Sequence, residues 1–259
     1  MSSDYTRSDI VDSLRAVGIE KGDSVFSHSN LGFFGQLEAC TSKEEYCDAF
    51  YSAIRDVIGE SGTFVVPTFT YSFTDGDFFD PSETESDMGM LSEYIRSHPE
   101  SIRSSDPNFS IAAIGAKAEY FTKNPPSHSF GQNSFWERFL AVQGKFCNFN
   151  FDSASTFLHY VERCLDVPYR WDKPFAGTLR QGKSEQRRVF YHYVRDLQSD
   201  DYAPNFEAFD KYASEEGVVK LKDLGKGQVV MVSAQDTYEI TETGYLEDQS
   251  FLISGSVHK

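Results

Sequence analysis

The chain has 259 residues, 40 of them acidic and 24 basic, which gives a formal net charge of -16. At about 150 residues per domain, this length fits one large α/β unit or a core that carries a modest subdomain. The negative charge disfavours nucleic acid and anionic membrane surfaces as partners, because binding to either requires a basic stripe. It favours cationic small molecules instead, with solubility alone as the alternative explanation.

Neither a membrane span nor a metal site is expected from the sequence. The apolar run at residues 64–67 is far shorter than the roughly 20 residues that a bilayer requires. The 4 cysteines form no C-x-x-C pair and have no histidine partner at zinc-ligand spacing. The polar N-terminus has no apolar signal segment, so a cytoplasmic protein is expected.

The first predicted elements alternate between helix and strand. An apolar stripe predicts a helix over residues 8–18, and a short strand follows at residues 24–27. Ser42 and Glu45 have the spacing of a capping box, which predicts a second helix. The apolar run at residues 63–69 then predicts a central strand buried on both faces, whose ladder must end at Pro67.

Residues 70–90 are rich in Asp, Ser, Gly and Phe, which predicts a long loop that acts as a lid or substrate loop. Further along the chain the patterns predict helices at 91–98, 133–142, 155–165 and 206–212, and strands at 145–150, 187–195 and 228–233. The alternation indicates an α/β fold with a three-layer αβα core and a mixed central sheet. A single domain is expected, with its core at about 8–165 and a C-terminal extension at about 166–259.

Motifs of several large enzyme classes are absent from the sequence. It has no G-x-x-x-x-G-K-[ST] phosphate loop, no G-x-G-x-x-G after a strand, no H-E-x-x-H and no G-x-S-x-G. These absences disfavour P-loop NTPases, Rossmann oxidoreductases, zincins and α/β-hydrolases.

The most suggestive local pattern is STFLHYVE at residues 155–162. His159 and Glu162 lie three positions apart on a predicted helix and therefore share one face. The carboxylate could accept a hydrogen bond from one imidazole nitrogen and leave the other free as a base. An ordinary surface pair is the alternative interpretation.

Two further segments have the composition of anion or carbonyl sites. SHSNLGFFG at residues 27–35 follows a strand and could expose backbone N–H groups to a carbonyl or phosphate oxygen. RSSDPNFS at residues 103–110 offers an arginine fork beside serine hydroxyls. The alternative for residues 27–35 is an ordinary strand-to-helix loop. The alternative for residues 103–110 is an ordinary proline turn.

Taken together and in order, six segments resemble the aminoglycoside 3-N-acetyltransferase family. They are SHSNLG, GTFVVPTFTYSF, the DP pair at Asp80, MGMLSEYIRSHPESIRSSDPNFSIAAIG, HSFGQNSFWERF and STFLHYVE. The resemblance spans about residues 8–165 and implies an α/β fold that transfers an acyl group from acetyl-coenzyme A to an amine. The acceptor that it implies is an aminoglycoside or an amino sugar.

The resemblance also implies roles for particular residues. His159 matches the catalytic histidine, and Glu162 matches the acidic residue one turn later. Thr68, Thr70 and Tyr71 match residues beside the thioester and the acceptor. The segments that match the coenzyme A site contain His28, Ser29, Asn30, Arg103, Ser104 and Ser110.

Acidic residues of the predicted loop could pair with the ammonium groups of an acceptor, or they could simply be solvated. Asp77 is the main candidate, together with Asp75, Asp80 and Glu83. The other histidines that lack a matching motif, His98, His192 and His258, are expected to be structural or exposed.

Three questions stay open at this stage. The enzyme could serve antibiotic resistance, or it could act in biosynthesis on a nucleotide sugar or a surface polysaccharide. A non-catalytic acyl-coenzyme A binding protein or scaffold and a hydrolase are further alternatives. A homodimer is also compatible with the sequence.

Overall fold

The computed structural model describes residues 3–257. Within them the helices are α1 (Arg7–Ala16), α2 (Lys43–Ile58), α3 (Ser72–Asp75), α4 (Met90–Arg96), α5 (Ala118–Thr122), α6 (Phe135–Ala141), α7 (Leu158–Cys164), α8 (Phe206–Glu215) and α9 (Ala234–Glu247). The strands are β1 (Ser24–Phe26), β2 (Thr63–Pro67), β3 (Phe78–Phe79), β4 (Ile102–Arg103), β5 (Ile111–Gly115), β6 (Lys145–Phe149), β7 (Arg170–Gln181), β8 (Ser184–Arg195), β9 (Lys220–Leu224) and β10 (Gly227–Ser233).

The main sheet has the strand order β4-β5-β2-β1-β6-β10-β9. Strand β1 lies between β2 and β6 and runs parallel to both. The outer strands pair antiparallel to their neighbours on both sides of this centre. The sheet is therefore mixed, which confirms the prediction.

Helices cover both faces of this sheet because its central strands are apolar at successive positions. Phe64 and Val66 belong to one buried cluster with residues of α1, α2 and α4. Val65, which points the opposite way, belongs to another cluster with residues of α5, α6, α7 and α9. This arrangement is the predicted three-layer α/β core.

The predicted capping box begins α2. Ser42 Oγ accepts a hydrogen bond from the Glu45 backbone N–H at 3.1 Å, and the Glu45 carboxylate accepts one from the Ser42 backbone N–H at 3.2 Å. Two N–H groups at the helix start are thereby satisfied locally, which is why the sequence alone located this helix.

A long hairpin follows the helix that carries His159. Strands β7 and β8 pair along their full lengths, and the short β3 joins them in a separate three-stranded sheet. Phe73, Phe79, Leu179 and Phe190 form the apolar cluster beneath this hairpin. The segment predicted as a continuous loop at residues 70–90 thus contains α3 and β3, which pack against the hairpin.

Residues after 165 form part of the core, whereas the sequence predicted only a C-terminal extension there. Strand β10 pairs with β6 and continues the central sheet, while α9 packs against the same layer as α7. The expectation of a core ending near residue 165 therefore differs from the structure. The physical reason is that β6 would otherwise be an edge strand with unpaired backbone groups. Across residues 3–257, none of the helices is long and apolar enough to cross a bilayer.

Candidate active site

Several polar segments meet at one edge of the central sheet. The parallel strands β1, β2 and β6 place their carboxyl ends together, and the antiparallel β5 begins at this edge. Thr68 after β2 donates a hydrogen bond to Ser110 before β5 at 3.0 Å. His28 after β1 lies with its Nε2 3.4 Å from the hydroxyl of Thr156, in the turn before α7. Such carboxyl edges are where α/β sheets form their sites.

The predicted pair on α7 is in contact. His159 Nδ1 lies 2.6 Å from Glu162 Oε2, with side chains that are 19% and 0% exposed. Burial alone would raise the pKa of Glu162, but the charges of His159 and Arg170 outweigh it and lower that pKa. The carboxylate is therefore ionised and acts as acceptor, so the ring proton lies on Nδ1 and Nε2 carries the free lone pair.

Arg170 is a third member of this site, and sequence reasoning missed it. Its Nε lies 2.8 Å from Glu162 Oε2, and its side chain is only 5% exposed. A buried carboxylate needs such a counter-charge, because its desolvation is otherwise costly. Arg170 begins β7, a strand that was not predicted, so no sequence pattern pointed to its position.

Burial, rather than the net effect of the charges around it, is the main reason that the His159 ring is uncharged. Burial and the nearby Arg170 lower the pKa of His159, and together they outweigh the opposing effect of Glu162. The imidazole is therefore neutral near pH 7, which is the form that can accept a proton.

His159 opens into a cleft of about 610 Å³ whose opposite wall is the β7–β8 hairpin. His192 on this wall stacks against Tyr71, with ring centroids 5.9 Å apart. Burial lowers the pKa of His192 to about 4. His192 therefore lines the cleft, and its packing on Tyr71 and Phe109 is compatible with the structural role expected of it. His98 packs against Tyr51 elsewhere, with ring centroids 5.0 Å apart, and His258 lies outside the described residues.

The segment after β1 uses its backbone donors within the protein. The His28 N–H donates to Asn148 Oδ1 at 3.1 Å, and the Asn30 N–H donates to the Phe149 carbonyl at 2.8 Å. Ser29 forms an isolated bridge with Phe149. The predicted free N–H groups at His28 and Asn30 are thus engaged, although the His28 ring stays at the carboxyl edge, where burial lowers its pKa to about 4.

Arg103 joins the end of β2 to the loop that follows β3. Its guanidinium donates to the Thr68 carbonyl at 2.7 Å and to the Thr84 carbonyl, and it lies 4.9 Å above the ring of Phe79. Ser110 also donates to the Thr68 carbonyl, at 2.6 Å. Arg103 lines a second cavity of about 550 Å³, apart from the His159 cleft.

The remaining predicted residues have mainly internal partners. Ser104 Oγ accepts from the Ile111 N–H at 3.0 Å, and Thr70 Oγ1 donates to the Pro107 carbonyl at 2.8 Å. Asp77 is exposed and is not among the residues that line the His159 cleft. Of the predicted acceptor residues, Tyr71 contacts the cleft wall through its stacking on His192, and neither Tyr71 nor Asp77 is among the residues that line the cleft.

A neutral imidazole that is open to a cleft and has a buried carboxylate behind it is an arrangement that can act chemically as a general base. Within residues 3–257, no group of three or more His, Cys, Asp or Glu side chains is placed to hold a metal ion.

Comparisons with known proteins agree on the class. The family model for aminoglycoside 3-N-acetyltransferase matches residues 27–245. The aminoglycoside N(3)-acetyltransferase VII of Streptomyces paromomycinus is 28% identical over 90% of this chain and 86% of its own length. The SPbeta prophage-derived aminoglycoside N(3')-acetyltransferase-like protein YokD of Bacillus subtilis (strain 168) is 24% identical over 95% and 94%.

Solved structures show the same fold. The complex described as AAC-IIIb binary with CoASH superposes with a TM-score of 0.80 at 23% identity, covering 97% of this chain and 99% of that one. The complex described as AAC-VIa bound to sisomicin gives a TM-score of 0.77 at 24% identity, covering 94% and 97%. The chain belongs to the aminoglycoside 3-N-acetyltransferase family. The family resemblance and the acyltransferase class predicted from the sequence are thereby confirmed.

Proposed function

We propose that this chain transfers the acetyl group of acetyl-coenzyme A to an amine of an aminoglycoside or amino sugar, with His159 as the general base. The observation that carries the proposal is the 2.6 Å contact between His159 Nδ1 and the ionised Glu162, which leaves Nε2 available at the cleft. The names of the curated relatives and the coenzyme A complex of a structural neighbour support the two substrate classes.

The reaction joins the amine nitrogen to the thioester carbonyl carbon. An alkylammonium has no lone pair, so the acceptor must react as the neutral amine. As the C–N bond forms, His159 Nε2 accepts a proton from that nitrogen, and Glu162 stabilises the resulting imidazolium. The C–S bond then breaks, and the proton passes from the imidazolium to the leaving thiolate, so that the products are the amide and free coenzyme A.

The acyl donor is assigned to the carboxyl edge of the main sheet. We assign His28, Ser29 and Asn30 to the coenzyme A side, because their segment meets the turn before α7. Ser104, Ser110 and Arg103 stabilise the neighbouring strand ends on this side. We assign Thr68, Thr70 and Tyr71, which follow β2 directly, to the acceptor side.

The test is acceptor-dependent release of free thiol. The purified chain is incubated with acetyl-coenzyme A and a panel of aminoglycosides and amino sugars, and acylated products are identified by mass spectrometry. A correctly positioned base contributes about 10²- to 10⁴-fold in rate, so His159→Ala should lower kcat by that factor. His98→Ala is the matched control, since His98 packs against Tyr51 away from the cleft.

The outcomes separate the alternatives. Thiol release that does not depend on an acceptor would identify a hydrolase, and donor binding without release would identify a scaffold. If His159→Ala retains kcat within tenfold of wild type, His159 is not the general base.

A further inference from the structure

Only one oxygen of the buried Glu162 carboxylate contacts His159 and Arg170. Oε2 lies 2.6 Å from His159 Nδ1 and 2.8 Å from Arg170 Nε. Oε1 is also buried, and no group within residues 3–257 gives it a hydrogen bond of regular geometry. A buried carboxylate oxygen without a donor is costly, because nothing then compensates for its desolvation. The second oxygen of Glu162 therefore needs a donor.

Tyr169 carries a buried hydroxyl with the complementary need. The residue is 2% exposed, and among the described residues its hydroxyl also lacks a hydrogen bond of regular geometry. A phenol hydroxyl can donate the proton that an ionised carboxylate accepts. Glu162 Oε1 and the Tyr169 hydroxyl are therefore matched as acceptor and donor.

The turn that follows α7 brings Tyr169 to Glu162. The Val167 N–H donates to the Glu162 carbonyl at 3.2 Å, which closes this turn. Tyr169 follows two residues later and directly precedes Arg170, whose guanidinium contacts the same carboxylate. The Tyr169 ring stacks on Tyr202, with the ring centroids 6.1 Å apart and the planes inclined by 16°. The backbone turn and this stacking together restrain the Tyr169 side chain.

The electrostatics of Tyr169 agree with an interaction between the two groups. Burial raises the pKa of Tyr169, and its approach to Glu162 raises that pKa further, through the charge of the carboxylate and through their interaction as donor and acceptor. Tyr169 is therefore protonated near neutral pH and keeps the proton that it can donate.

Other ionisable groups also surround His159. Those that line the cleft are Arg170, Lys173, His192, Tyr193, Arg195 and Asp196. Burial, followed by the charges of His159 and Arg170, lowers the pKa of His192 to about 4, and burial together with the charge of Glu162 raises the pKa of Tyr193. His192 and Tyr193 therefore keep one charge state near neutral pH. All of these groups are retained when Tyr169 alone is changed, so they do not account for a difference between wild type and variant.

We propose that Tyr169 is a positioning residue whose hydroxyl donates a hydrogen bond to Glu162 Oε1, which fixes the rotation of the carboxylate and keeps Oε2 directed at His159. The catalytic consequence rests on the proposed function, whereas the hydrogen bond itself does not depend on turnover. The bond also draws negative charge toward Oε1, so the carboxylate stabilises the imidazolium less than it would without this donor. Tyr169 thus orients His159 through Glu162 and lowers its basicity.

Tyr169→Phe removes the hydroxyl and keeps the ring that stacks on Tyr202. We expect kcat to fall about three- to tenfold, because the carboxylate is no longer held in one orientation, while the KM for acetyl-coenzyme A stays within about twofold. The acidic limb of the kcat/KM profile should move to higher pH by about 0.5 unit, because Glu162 then stabilises the imidazolium more strongly. Tyr51→Phe is the matched control, since Tyr51 is 8% exposed and packs against His98 away from the cleft.

Stability distinguishes a hydrogen-bonded hydroxyl from an unpaired one. Removal of a hydroxyl that donates to Oε1 leaves a buried carboxylate oxygen without a donor, so Tyr169→Phe should lower the urea midpoint of unfolding. Removal of an unpaired buried hydroxyl would instead leave the midpoint unchanged or raise it, because such a group is costly to bury. Urea titrations of wild type, Tyr169→Phe and Tyr51→Phe measure the difference.

Proton NMR reports on the contact without turnover. The 2.6 Å contact with Glu162 should give the His159 Nδ1–H proton a downfield resonance, which is assigned by its loss in His159→Ala. Tyr169→Phe should move this resonance further downfield, because Oε2 then accepts more strongly, and Tyr51→Phe should leave it in place. If Tyr169→Phe does not fold, the wild type carries the test. A slowly exchanging tyrosine hydroxyl proton should be observed and should shift in Glu162→Gln, and its absence would contradict the hydrogen bond.

Two further results would overturn this inference. The first is a Tyr169→Phe variant whose urea midpoint, Nδ1–H resonance and acidic limb all coincide with those of wild type. The second is a fall in kcat with the resonance and the acidic limb unmoved, which would make the role of Tyr169 merely structural. A shifted resonance in a chain that releases no thiol with any acceptor would support the hydrogen bond and contradict the proposed function.

Discussion

The rings of Tyr71 and His192 stack with their planes inclined by 18° and their centroids 5.9 Å apart. Tyr71 follows β2, whereas His192 lies on β8, so this contact joins the carboxyl edge of the main sheet to the hairpin. Phe109 also contacts His192, since its ring packs edge-on against the imidazole with the ring centroids 4.7 Å apart. The position of the cleft wall relative to His159 therefore depends on these aromatic contacts.

Removal of the Tyr71 ring should loosen this wall. Tyr71→Leu loses a stacked pair worth about 0.5 to 1.5 kcal/mol, so we expect the acceptor KM to rise by roughly two- to tenfold. Tyr71→Phe retains the ring and is the control. Steady-state kinetics with both substrates measures the effect. An unchanged acceptor KM in Tyr71→Leu would show that the hairpin is positioned without this contact.

Arg170 should act as a positioning residue that sets the pH dependence through Glu162 and His159. Its positive charge disfavours the imidazolium, so Arg170→Met should raise the pKa of His159. Because the neutral ring is the base, the acidic limb of the kcat/KM profile should move to higher pH. Glu162→Gln removes the opposing negative charge and should move that limb to lower pH, with a fall in kcat.

The control for Arg170 is Arg163→Met. Arg163 Nη1 pairs with Asp172 Oδ1 at 2.5 Å, whereas Glu162 pairs with His159 and Arg170. Its pH profile should coincide with that of wild type. If Arg170→Met and Glu162→Gln shift the acidic limb in the same direction, the group that titrates is not His159.

Arg103→Ala separates a structural role from the coenzyme A role implied by the family resemblance. The guanidinium holds two backbone carbonyls, those of Thr68 and Thr84, and hydrogen bonds to charged groups contribute about 1.5 to 3 kcal/mol. We expect a lower urea midpoint of unfolding and a KM for acetyl-coenzyme A within threefold of wild type. Arg188→Ala, in the same second cavity, is the control. Normal stability with a large rise in that KM would favour the direct contact with coenzyme A.

Gly177 allows the hairpin to approach α3 closely. A Cβ atom at this position would lie 2.4 Å from the Phe73 ring, far inside van der Waals contact. Gly177→Ala should therefore destabilise the fold by about 1 to 3 kcal/mol and raise the acceptor KM, because the hairpin forms the cleft wall. Gly32→Ala, where the added Cβ meets no atom within 4 Å, is the control. The second change Phe73→Leu should restore part of the loss, and a urea titration of all four proteins tests this.

Short-range patterns in the sequence were sufficient to predict the helices that begin with a capping residue and the buried strand at the centre of the sheet. The capping box of Ser42 and Glu45 closes within one turn, and the apolar run of β2 needs no distant partner to indicate burial. The pairing of His159 with Glu162 belongs to the same category, because residues three apart on a helix are neighbours in any fold. The order of the six segments also sufficed to identify the family.

The tertiary structure alone decided what faces His159. Strand β7 has a mixed polar and apolar pattern, and its role depends on pairing with β8 and on contact with α7. That pairing brings in Arg170 and His192, neither of which carries a local signal of function. It also places Asp77 outside the cleft, although its loop was predicted to hold the acceptor. A side chain acquires such a role only through neighbours distant in sequence, because charge and burial depend on the whole set of packed elements.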